Sequence, residues 1–447
     1  MSRRFSRRRF LKVSAAVAGG VIAAGPIIVR ACAAGESPNE KLDIAVIGVA
    51  GRGGDNLGGV STENIVALCD VDEQRLGGAA KRFPGAKTFT DFRRMLDEVG
   101  KQVQAVVVST PDHTHAPAAA MALRMGKHCY CEKPLTHSVY EARVLADLAR
   151  KGKRVTQIGT QIHAEDNYRR VVELVQGGAI GPVKDVHVWS SASYGGMDRP
   201  KDTPPVPPHI HWDLWLGPAP ERPYHPAYIP GAWRAWWDFG TGALGDFGCH
   251  FMDLPFWALG LRYPTSVEAE GPAVHPETTP PWVTVRYEFP ARPNLPPVRL
   301  TWYDGGRRPT ALLEKEGLVR AETLAKPENP AKWTSGVLFI GEKGMLLADY
   351  GRRMLLPEAT FADYKPPAPT IPASIGHHQE WIKACKTGGP TTCGFDYSGP
   401  LTETALLGTV AFRAGEKFRW DAEGLKAVNC PKADRYLRRE YRKGWTL

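Results

Sequence analysis

The 447-residue sequence lacks the features that mark fibrous, repetitive and disordered proteins. It has no internal repeat with a period of roughly 20–50 residues, which excludes solenoids and propellers. Its 46 glycines and 38 prolines show no collagen-like spacing, and its 43% hydrophobic and 23% charged residues are ordinary for a globular protein. A chain of this length is expected to form two domains.

Acidic residues are absent from the first 33 positions, whereas seven basic residues lie there. The net charge of +10 less these seven charges is +3, so the rest of the chain lacks the basic excess of a nucleic-acid-binding protein. We therefore expect no nucleic-acid partner. A second basic cluster, between Arg435 and Lys443, is typical of a solvated helix end.

The N-terminal segment has the order of features found in a twin-arginine export signal. The sequence Ser6–Lys12 (SRRRFLK) precedes an apolar run from Val13 to Val29, and small residues flank Cys32. The run contains three glycines and a proline and is short for a hydrocarbon core of about 30 Å, so we expect no stable membrane insertion. We predict a cleaved signal peptide over residues 1–33, the twin-arginine translocase as a partner during export, and a periplasmic or secreted location.

Cysteines are too few and too scattered for a disulfide framework. The sequence has eight, and cleavage would remove Cys32 and leave an odd number. Cys129 and Cys131 alternate on one predicted strand and so point to the same face, but two further clustered ligands are missing. We predict no metal site.

Apolar strands alternate with amphipathic helices between residues 42 and 159. The predicted strands are Leu42–Ile47, Asn64–Cys69, Ala105–Ser109, His128–Cys131 and Arg154–Gly159. The predicted helices between them include Ala116–Met125 and Ser138–Arg150. This alternation indicates a doubly wound parallel sheet covered by helices on both faces. We predict an N-terminal Rossmann domain over residues 34–161 and a C-terminal α/β domain over residues 162–447. Its last helices, predicted over Gly376–Lys386 and Pro400–Gly415, pack back on the first domain.

A glycine-rich loop follows the first predicted strand and precedes a helix. Its members are Gly48, Ala50, Gly51, Arg52 and Gly53. Glycines let the backbone approach a pyrophosphate at the helix N-terminus, and Asp70, nineteen residues beyond Gly51, is placed to bond the ribose hydroxyls. Asp70 would also repel a 2′-phosphate, which favours NAD over NADP. Ala50 departs from the usual glycine pattern, and a plain tight turn is the alternative interpretation.

Three further motifs add to the glycine loop: Asp70-Val71-Asp72, Thr110–His115 (TPDHTH) and Cys131–Leu135 (CEKPL). Together they resemble the glucose–fructose oxidoreductase, inositol dehydrogenase and rhizopine catabolism (Gfo/Idh/MocA) family, in an exported branch, from about Lys41 to about Trp420. The resemblance implies that the second domain has a large open, mainly antiparallel sheet that carries the substrate pocket. It also implies a homo-oligomer.

The resemblance implies roles for a lysine beside the reacting atoms and for several residues that bind the cofactor. In this family the lysine of the Glu-Lys-Pro motif, here Lys133, lies beside the nicotinamide and the reacting carbinol, where it can bond the substrate oxygen. Further residues implied to bind the cofactor are Thr110, Pro111, His115, Glu132 and Gln161.

A second family signature is an aspartate and a histidine four residues apart, matched by Asp246 and His250. On a helix this spacing puts both side chains on one face. We predict His250 as the general base for a carbinol proton, with Asp246 orienting its ring or binding a neighbouring hydroxyl and Asp253 in support. The alternative is a purely structural hydrogen bond on the helix surface.

The stretch from Trp189 to Trp237 is rich in tryptophan, tyrosine and proline. Aromatic faces suit the apolar faces of sugar rings, although these side chains could equally serve only to anchor a long loop. From this stretch we predict that Arg234 and Trp237 contact substrate. The family resemblance implies the same role for His163 and Tyr168, which follow the last predicted Rossmann strand.

The predicted location bears on the reaction, because periplasmic fluid holds no useful pool of free NAD. We therefore expect an exported NAD(P)-dependent oxidoreductase that acts on a CH–OH group of a sugar, cyclitol or related polyol. Its tightly bound cofactor would be recycled in place by a second substrate. The alternative is a redox-neutral glycosidase or lyase that works through a transient keto-sugar, which Lys133 disfavours because the glycosidase branch lacks this lysine. A non-catalytic sugar-binding relative is the third hypothesis.

Overall fold

A computed structural model of the chain describes residues 41–316 and 333–447. The predicted signal peptide lies outside these residues. Within them the polypeptide forms two β-sheets with helices packed around and between them.

The first sheet has six parallel strands in the order β3-β2-β1-β4-β5-β6. The strands are β1 (Asp43–Ile47), β2 (Asn64–Cys69), β3 (Lys87–Phe89), β4 (Ala105–Val108), β5 (His128–Cys131) and β6 (Thr156–Ile158). The connecting helices are α1 (Arg52–Gly59), α2 (Glu73–Arg82), α3 (Phe92–Val99), α4 (Asp112–Arg124) and α5 (Val139–Gly152). The predicted doubly wound sheet is confirmed, because central strands such as β4 are buried along their whole length, as helices on both faces require.

Two details of this half differ from the sequence prediction. Strand β3 was not predicted, because it is only three residues long and two of them are exposed at the sheet edge. Helix α4 begins at Asp112 rather than at Ala116, with Pro111 in an extended conformation as its N-cap.

The second sheet has nine strands in the order β13-β12-β11-β7-β10-β9-β8-β14-β15. They are β7 (Val183–Trp189), β8 (Ser266–Glu270), β9 (Thr284–Phe289), β10 (Val298–Tyr303), β11 (Gly336–Gly341), β12 (Met345–Ala348), β13 (Arg353–Leu356), β14 (Phe418–Asp421) and β15 (Lys426–Ala427). All neighbouring pairs are antiparallel except β7 and β10. The expected open, mainly antiparallel sheet is therefore confirmed.

The remaining helices lie around this sheet and between it and the first. They are α6 (Asp166–Gln176), α7 (Trp212–Leu216), α8 (Gly242–Phe251), α9 (Asp253–Leu259), α10 (Thr310–Lys315), α11 (His377–Thr387), α12 (Phe395–Ala414) and α13 (Pro431–Asp434). The twenty-residue α12 packs against both α5 and α8 and is almost entirely buried. It begins at Phe395, five residues before the predicted start at Pro400. The Asp396 carbonyl, which a proline at position 400 leaves without its helical donor, accepts a hydrogen bond from Arg262 instead (3.3 Å).

The last thirteen residues, 435–447, form what we call the C-terminal tail. The expected solvated helix end is wrong for this segment, because α13 stops at Asp434 and the tail lies along the first half of the chain. Arg435 and Arg438 are exposed as expected, but Arg439 forms an ion pair with the buried Glu141 (2.8 Å).

Candidate active site

A cavity of about 1170 Å³ lies along the carboxyl edge of the first sheet. Asp70 follows β2 and Lys133 follows β5, so these two lining residues stand on opposite sides of the central strands β1 and β4. Ligands of doubly wound sheets bind at this edge. The cavity has one end near Asp70 and another near Lys133, where side chains of α8 enter from the second half of the chain.

The glycine loop is shaped by close backbone approach. Gly48 follows β1 at φ +82°, and a Cβ there would lie 2.5 Å from the Ser109 carbonyl oxygen. A Cβ on Gly53 would in turn collide with the Gly48 carbonyl. Gly51, at φ +55°, has open space around it and lines the cavity together with Ala50 and Arg52. Gly53 therefore supports the loop from behind.

The start of α1 opens on this space. No side chain among the described residues caps α1, and its N-cap residue Gly51 lines the cavity. Uncapped N–H groups and the positive end of the helix dipole attract phosphate. The loop thus fits a pyrophosphate, as predicted from its glycines.

Asp70 lines the cavity and also holds the loop. Its carboxylate accepts hydrogen bonds from the backbone N–H groups of Val49 (3.0 Å) and Asp72 (3.0 Å). Burial raises the pKa of Asp70, while these two bonds act in the opposite direction. The position leaves Asp70 available to a ribose and also makes it part of the loop's own structure.

The remaining predicted cofactor residues divide into two groups. Thr110, Pro111, Glu132 and Gln161 line the cavity. Glu132 accepts hydrogen bonds from Asn56 Nδ2 and Gln161 Nε2, both at 2.9 Å. His115 does not reach the cavity; its buried ring lies between the Pro134 carbonyl (2.8 Å) and the Thr110 carbonyl (2.7 Å). We assign His115 to holding the Thr110 and Lys133-Pro134 segments, not to contact with a cofactor.

A charged cluster occupies the far end of the cavity. Lys133 Nζ donates to a carboxylate oxygen of Asp246 and to its backbone carbonyl (3.2 Å). Arg234 Nε (3.0 Å) and the Tyr194 hydroxyl (2.8 Å) donate to the other carboxylate oxygen. Burial alone would raise the pKa of Asp246, but the charges of Lys133 and Arg234 lower it to about 2. Asp246 is therefore ionised and holds both cations in place.

His250 lines the cavity one helical turn from Asp246 but is not bonded to it. Its Nδ1 is buried and has no hydrogen-bond partner in the described part of the chain. Burial, followed by the charge of Lys133, lowers the pKa of His250 to about 3. Asp246 therefore does not orient the His250 ring, because its carboxylate bonds Lys133, Arg234 and Tyr194. The expected support of His250 by Asp253 is also wrong, because Asp253 bonds other residues.

Asp253 belongs to a buried cluster behind the cavity. Its carboxylate contacts His163 Nδ1 (2.9 Å) and accepts a hydrogen bond from the Tyr397 hydroxyl (2.7 Å). His163, predicted to contact substrate, is fully buried and stacks on Trp257 with ring centroids 4.0 Å apart. Its surroundings are those of a core histidine.

Two further residues predicted to contact substrate also lie outside the cavity lining. Tyr168 is buried, and its hydroxyl donates to the His250 carbonyl (3.2 Å). Trp237 is buried against the second sheet and donates from Nε1 to the His275 carbonyl (3.0 Å). Of the four predicted substrate residues, the structure brings Arg234 alone to the cavity.

Sequence reasoning missed two polar residues of the site. Tyr194 lies in the aromatic-rich stretch, where nothing distinguishes it from its neighbours. Asp112 lies within the Thr110–His115 motif, which was the available signal. Its buried carboxylate accepts a hydrogen bond from Thr241 Oγ1 (2.7 Å), and burial, followed by the charge of Asp246, raises its pKa to about 7.

The aromatic-rich stretch packs on itself and also reaches the cavity. Trp212, Trp215, Tyr228 and Phe239 pack mainly on one another, with the Trp212 and Trp215 rings stacked at 4.7 Å. Trp215 and Trp233 also line the cavity. The stretch is thus a self-packed loop with part of its surface facing the cavity.

Residues 41–316 and 333–447 lack a membrane-spanning helix, a metal-binding cluster and a disulfide bond. No helix there is long and apolar enough to cross a membrane. These same residues contain no cluster of three or more histidine, cysteine or acidic side chains suited to a metal ion, and no disulfide bond.

Comparison with known proteins agrees with this geometry. Residues 42–160 match the NAD-binding Rossmann fold of an oxidoreductase family, and residues 183–292 match the C-terminal α/β domain of the same family. An inositol 2-dehydrogenase from Rubrobacter xylanophilus is 34% identical over 148 residues, which cover 32% of this chain and 42% of the relative. The chain therefore matches less than half the length of that relative.

Solved structures show the same fold over most of the chain. GenD2 from gentamicin A biosynthesis, solved with NAD, has a TM-score of 0.57 and 22% identity and covers 90% of this chain and all of its own. The WlbA dehydrogenase from Bordetella pertussis, solved with NADH and UDP-GlcNAcA, has a TM-score of 0.60 and 16% identity, covering 86% of this chain and 100% of its own. At these identities the likeness concerns the fold.

Proposed function

This chain belongs to the Gfo/Idh/MocA oxidoreductase family, and on that premise we propose that it oxidises or reduces a CH–OH group of a sugar, cyclitol or related polyol with NAD. The observation that carries the proposal is the arrangement at the end of the cavity. There Lys133 is held by Asp246, and His250 lies beside them without a hydrogen-bond partner for Nδ1 in the described residues.

The residues present fit a nicotinamide dinucleotide. The glycine loop leaves open space at Gly51 beside an uncapped helix start, and Asp70 lies at the end of the neighbouring strand β2. Bound NAD would supply the acceptor for a hydride. The carboxylate of Asp70 would repel a 2′-phosphate, so NAD is favoured over NADP.

The polar residues can bind and activate a hydroxyl group. The Lys133 ammonium is positioned to bond a substrate oxygen and to favour its ionised form. His250, whose pKa is lowered to about 3 by burial and by the charge of Lys133, is neutral at physiological pH and has a ring nitrogen that can accept a hydrogen bond from the substrate hydroxyl. Asp246 fixes the positions of Lys133 and Arg234, and Arg234 can bond a neighbouring substrate hydroxyl.

The N-terminal sequence supports a finer version of this function. We propose that the chain is exported folded by the twin-arginine pathway, with NAD already bound, and acts in the periplasm or outside the cell. Because this location holds no pool of free NAD to replace bound NADH, a second substrate with a carbonyl group would accept the hydride from NADH and restore NAD.

A redox-neutral lyase or glycosidase is the second candidate. It is favoured by Asp112, a buried carboxyl on the cavity wall whose pKa of about 7 lets it exchange a proton at neutral pH. Transient oxidation of a sugar acidifies the adjacent C–H, and elimination of a substituent then needs an acid and a base beyond those used for the hydroxyl.

The experiment is to purify the full chain, denature it and identify any released dinucleotide by mass. The native protein is then tested without added NAD on free sugars, cyclitols and aryl glycosides. Reduction of bound NAD by one sugar and reoxidation by a second substrate is the expected result. Release of the aglycone with no net redox change would replace it with the lyase function. A protein that neither contains nor binds NAD would overturn both.

A further inference from the structure

Hydrogen bonds and an ion pair attach the C-terminal tail to helices α4 and α5. Pro117 interrupts α4 and leaves the His113 carbonyl without its helical donor. Arg439 Nη2 of the tail donates to that carbonyl (2.5 Å), and its Nε pairs with Glu141 Oε1 (2.8 Å). The Tyr441 hydroxyl donates to the same Glu141 oxygen (2.6 Å).

Further along, Arg442 attaches the tail to α7 and the loop after it. Its Nη2 donates to the Asp213 carbonyl (2.7 Å), its Nε to the Gly217 carbonyl (3.1 Å), and its backbone N–H to the Pro218 carbonyl (3.0 Å). This segment carries Leu214 and Trp215, which line the cavity. The tail therefore reaches the cavity through contacts with one of its walls.

The tail ends on α3, where Trp445 itself lines the cavity. The guanidinium of Arg93 lies 4.1 Å from the centre of the Trp445 ring, and the ring of Phe92 lies 5.9 Å from it. Arg93 Nη1 also donates to the Gly444 carbonyl (3.1 Å). Trp445 is 8% exposed, so its position is fixed from several sides.

A second segment closes on the same end of the cavity. The backbone of Glu73 donates to the His209 carbonyl, and that of His211 donates to the Val71 carbonyl, both at 2.9 Å. These bonds hold Ile210 on the cavity wall beyond β2. The end of the cavity near Asp70 is therefore bounded by α3, by residues 209–215 and by the tail.

We propose that the last residues of the C-terminal tail, 442–447, are part of the dinucleotide site and that Trp445 forms an apolar wall of its adenosine end. This rests on the proposed function, since it requires NAD to bind with its ribose at Asp70. The end beyond Asp70, away from Lys133, is then the adenosine end. Adenine is flat and aromatic, and an indole ring is suited to pack against it. Contact with the Trp445 ring would then slow release of the cofactor.

The test uses the full chain and three single variants: Trp445→Ala, Trp445→Phe, and Arg438→Ala as a control. Arg438 belongs to the same tail but is exposed and stacks on Tyr140, outside the cavity lining. The release of NADH is followed by fluorescence after addition of excess NAD. Affinities for ADP-ribose and for nicotinamide mononucleotide are measured by calorimetry.

For Trp445→Ala we expect NADH release to be about threefold to tenfold faster, because this is the effect expected from the loss of one aromatic contact. ADP-ribose should bind more weakly by a similar factor. Trp445→Phe should show a smaller effect, while Arg438→Ala and the affinity for nicotinamide mononucleotide should not change. If Trp445→Ala does not fold, hydrogen exchange on the unmodified chain tests whether the tail contacts the adenosine part of the ligand. ADP-ribose should then slow exchange at residues 442–447, and nicotinamide mononucleotide should not.

Unchanged NADH release in Trp445→Ala, or tail exchange that ADP-ribose does not slow, would overturn this inference and leave the proposed function standing. A wild-type chain that binds no dinucleotide would overturn both. The two failures are therefore distinguishable in one set of experiments.

Discussion

The ion cluster around Asp246 makes a quantitative prediction about stability. Asp246 is 4% exposed and bonds Lys133, Arg234 and Tyr194. Replacing it by asparagine keeps the shape of the side chain but leaves two buried cations without their shared carboxylate. The pKa of Asp246 lies at about 2 instead of 3.8, which corresponds to about 2 kcal/mol of folding free energy. Asp246→Asn should therefore lower the free energy of unfolding by about 2 kcal/mol or more at neutral pH.

The pH dependence follows from the direction of the shift. A carboxyl whose pKa is lowered by folding stabilises the protein fully above its unfolded pKa, and the stabilisation is lost as the pH falls through its folded pKa. The difference in free energy of unfolding between wild type and Asp246→Asn should thus be constant above about pH 5. It should fall to about half near pH 3 and nearly vanish near pH 2.

Urea unfolding at a series of pH values measures this difference. Asp185→Asn is the matched control, because Asp185 pairs with the largely exposed Arg299 on the second sheet. This substitution should lower the free energy of unfolding by less than about 1 kcal/mol. An Asp246→Asn protein as stable as wild type at neutral pH, or a difference that does not change between about pH 5 and about pH 2, would refute the reasoning.

Three other predictions concern cofactor, catalysis and export. Asp70→Ala should weaken NAD binding at least tenfold (about 1.4 kcal/mol) in calorimetry, since a charged hydrogen-bond acceptor for the ribose is lost; unchanged affinity would disprove its role. Lys133→Met and His250→Ala should each lower kcat by about 10²–10⁴ while NAD affinity changes little; full turnover in both would remove the catalytic assignment. Replacing Arg7 and Arg8 together by lysine should block export in a fractionation assay, and normal periplasmic yield would contradict the twin-arginine prediction.

Elements with a strong local pattern were predictable. Strand β4 is a run of four apolar residues that are all buried, and α5 has a complete capping box between Ser138 and Glu141. Strand β3 was missed because pairing at the sheet edge, not side-chain burial, makes its three residues a strand. The start of α12 was missed because Pro400 predicts a helix start locally, whereas burial and the Arg262 contact let the helix extend before it.

The site was predictable where a motif itself faces the cavity. The glycine loop, Asp70, Lys133, Asp246 and His250 all do so. His163 and Trp237 were predicted to contact substrate from their positions near the motifs, but a histidine or a tryptophan at such a position can equally complete a core. His163 bonds Asp253, and Trp237 bonds His275. Both partners are distant in sequence, so no local pattern predicts these contacts.

The sequence by itself thus determined the doubly wound sheet, the place of the dinucleotide loop and the family, because these depend on local periodicity and on short motifs. Tertiary structure alone decided which partner each charge takes. Asp246 lies one helical turn from His250 yet binds Lys133, 113 residues away, and Arg439, in a tail that reads as solvated, binds Glu141, 298 residues away. Such pairs form because burial makes an unpaired charge costly, and burial is a property of the whole fold.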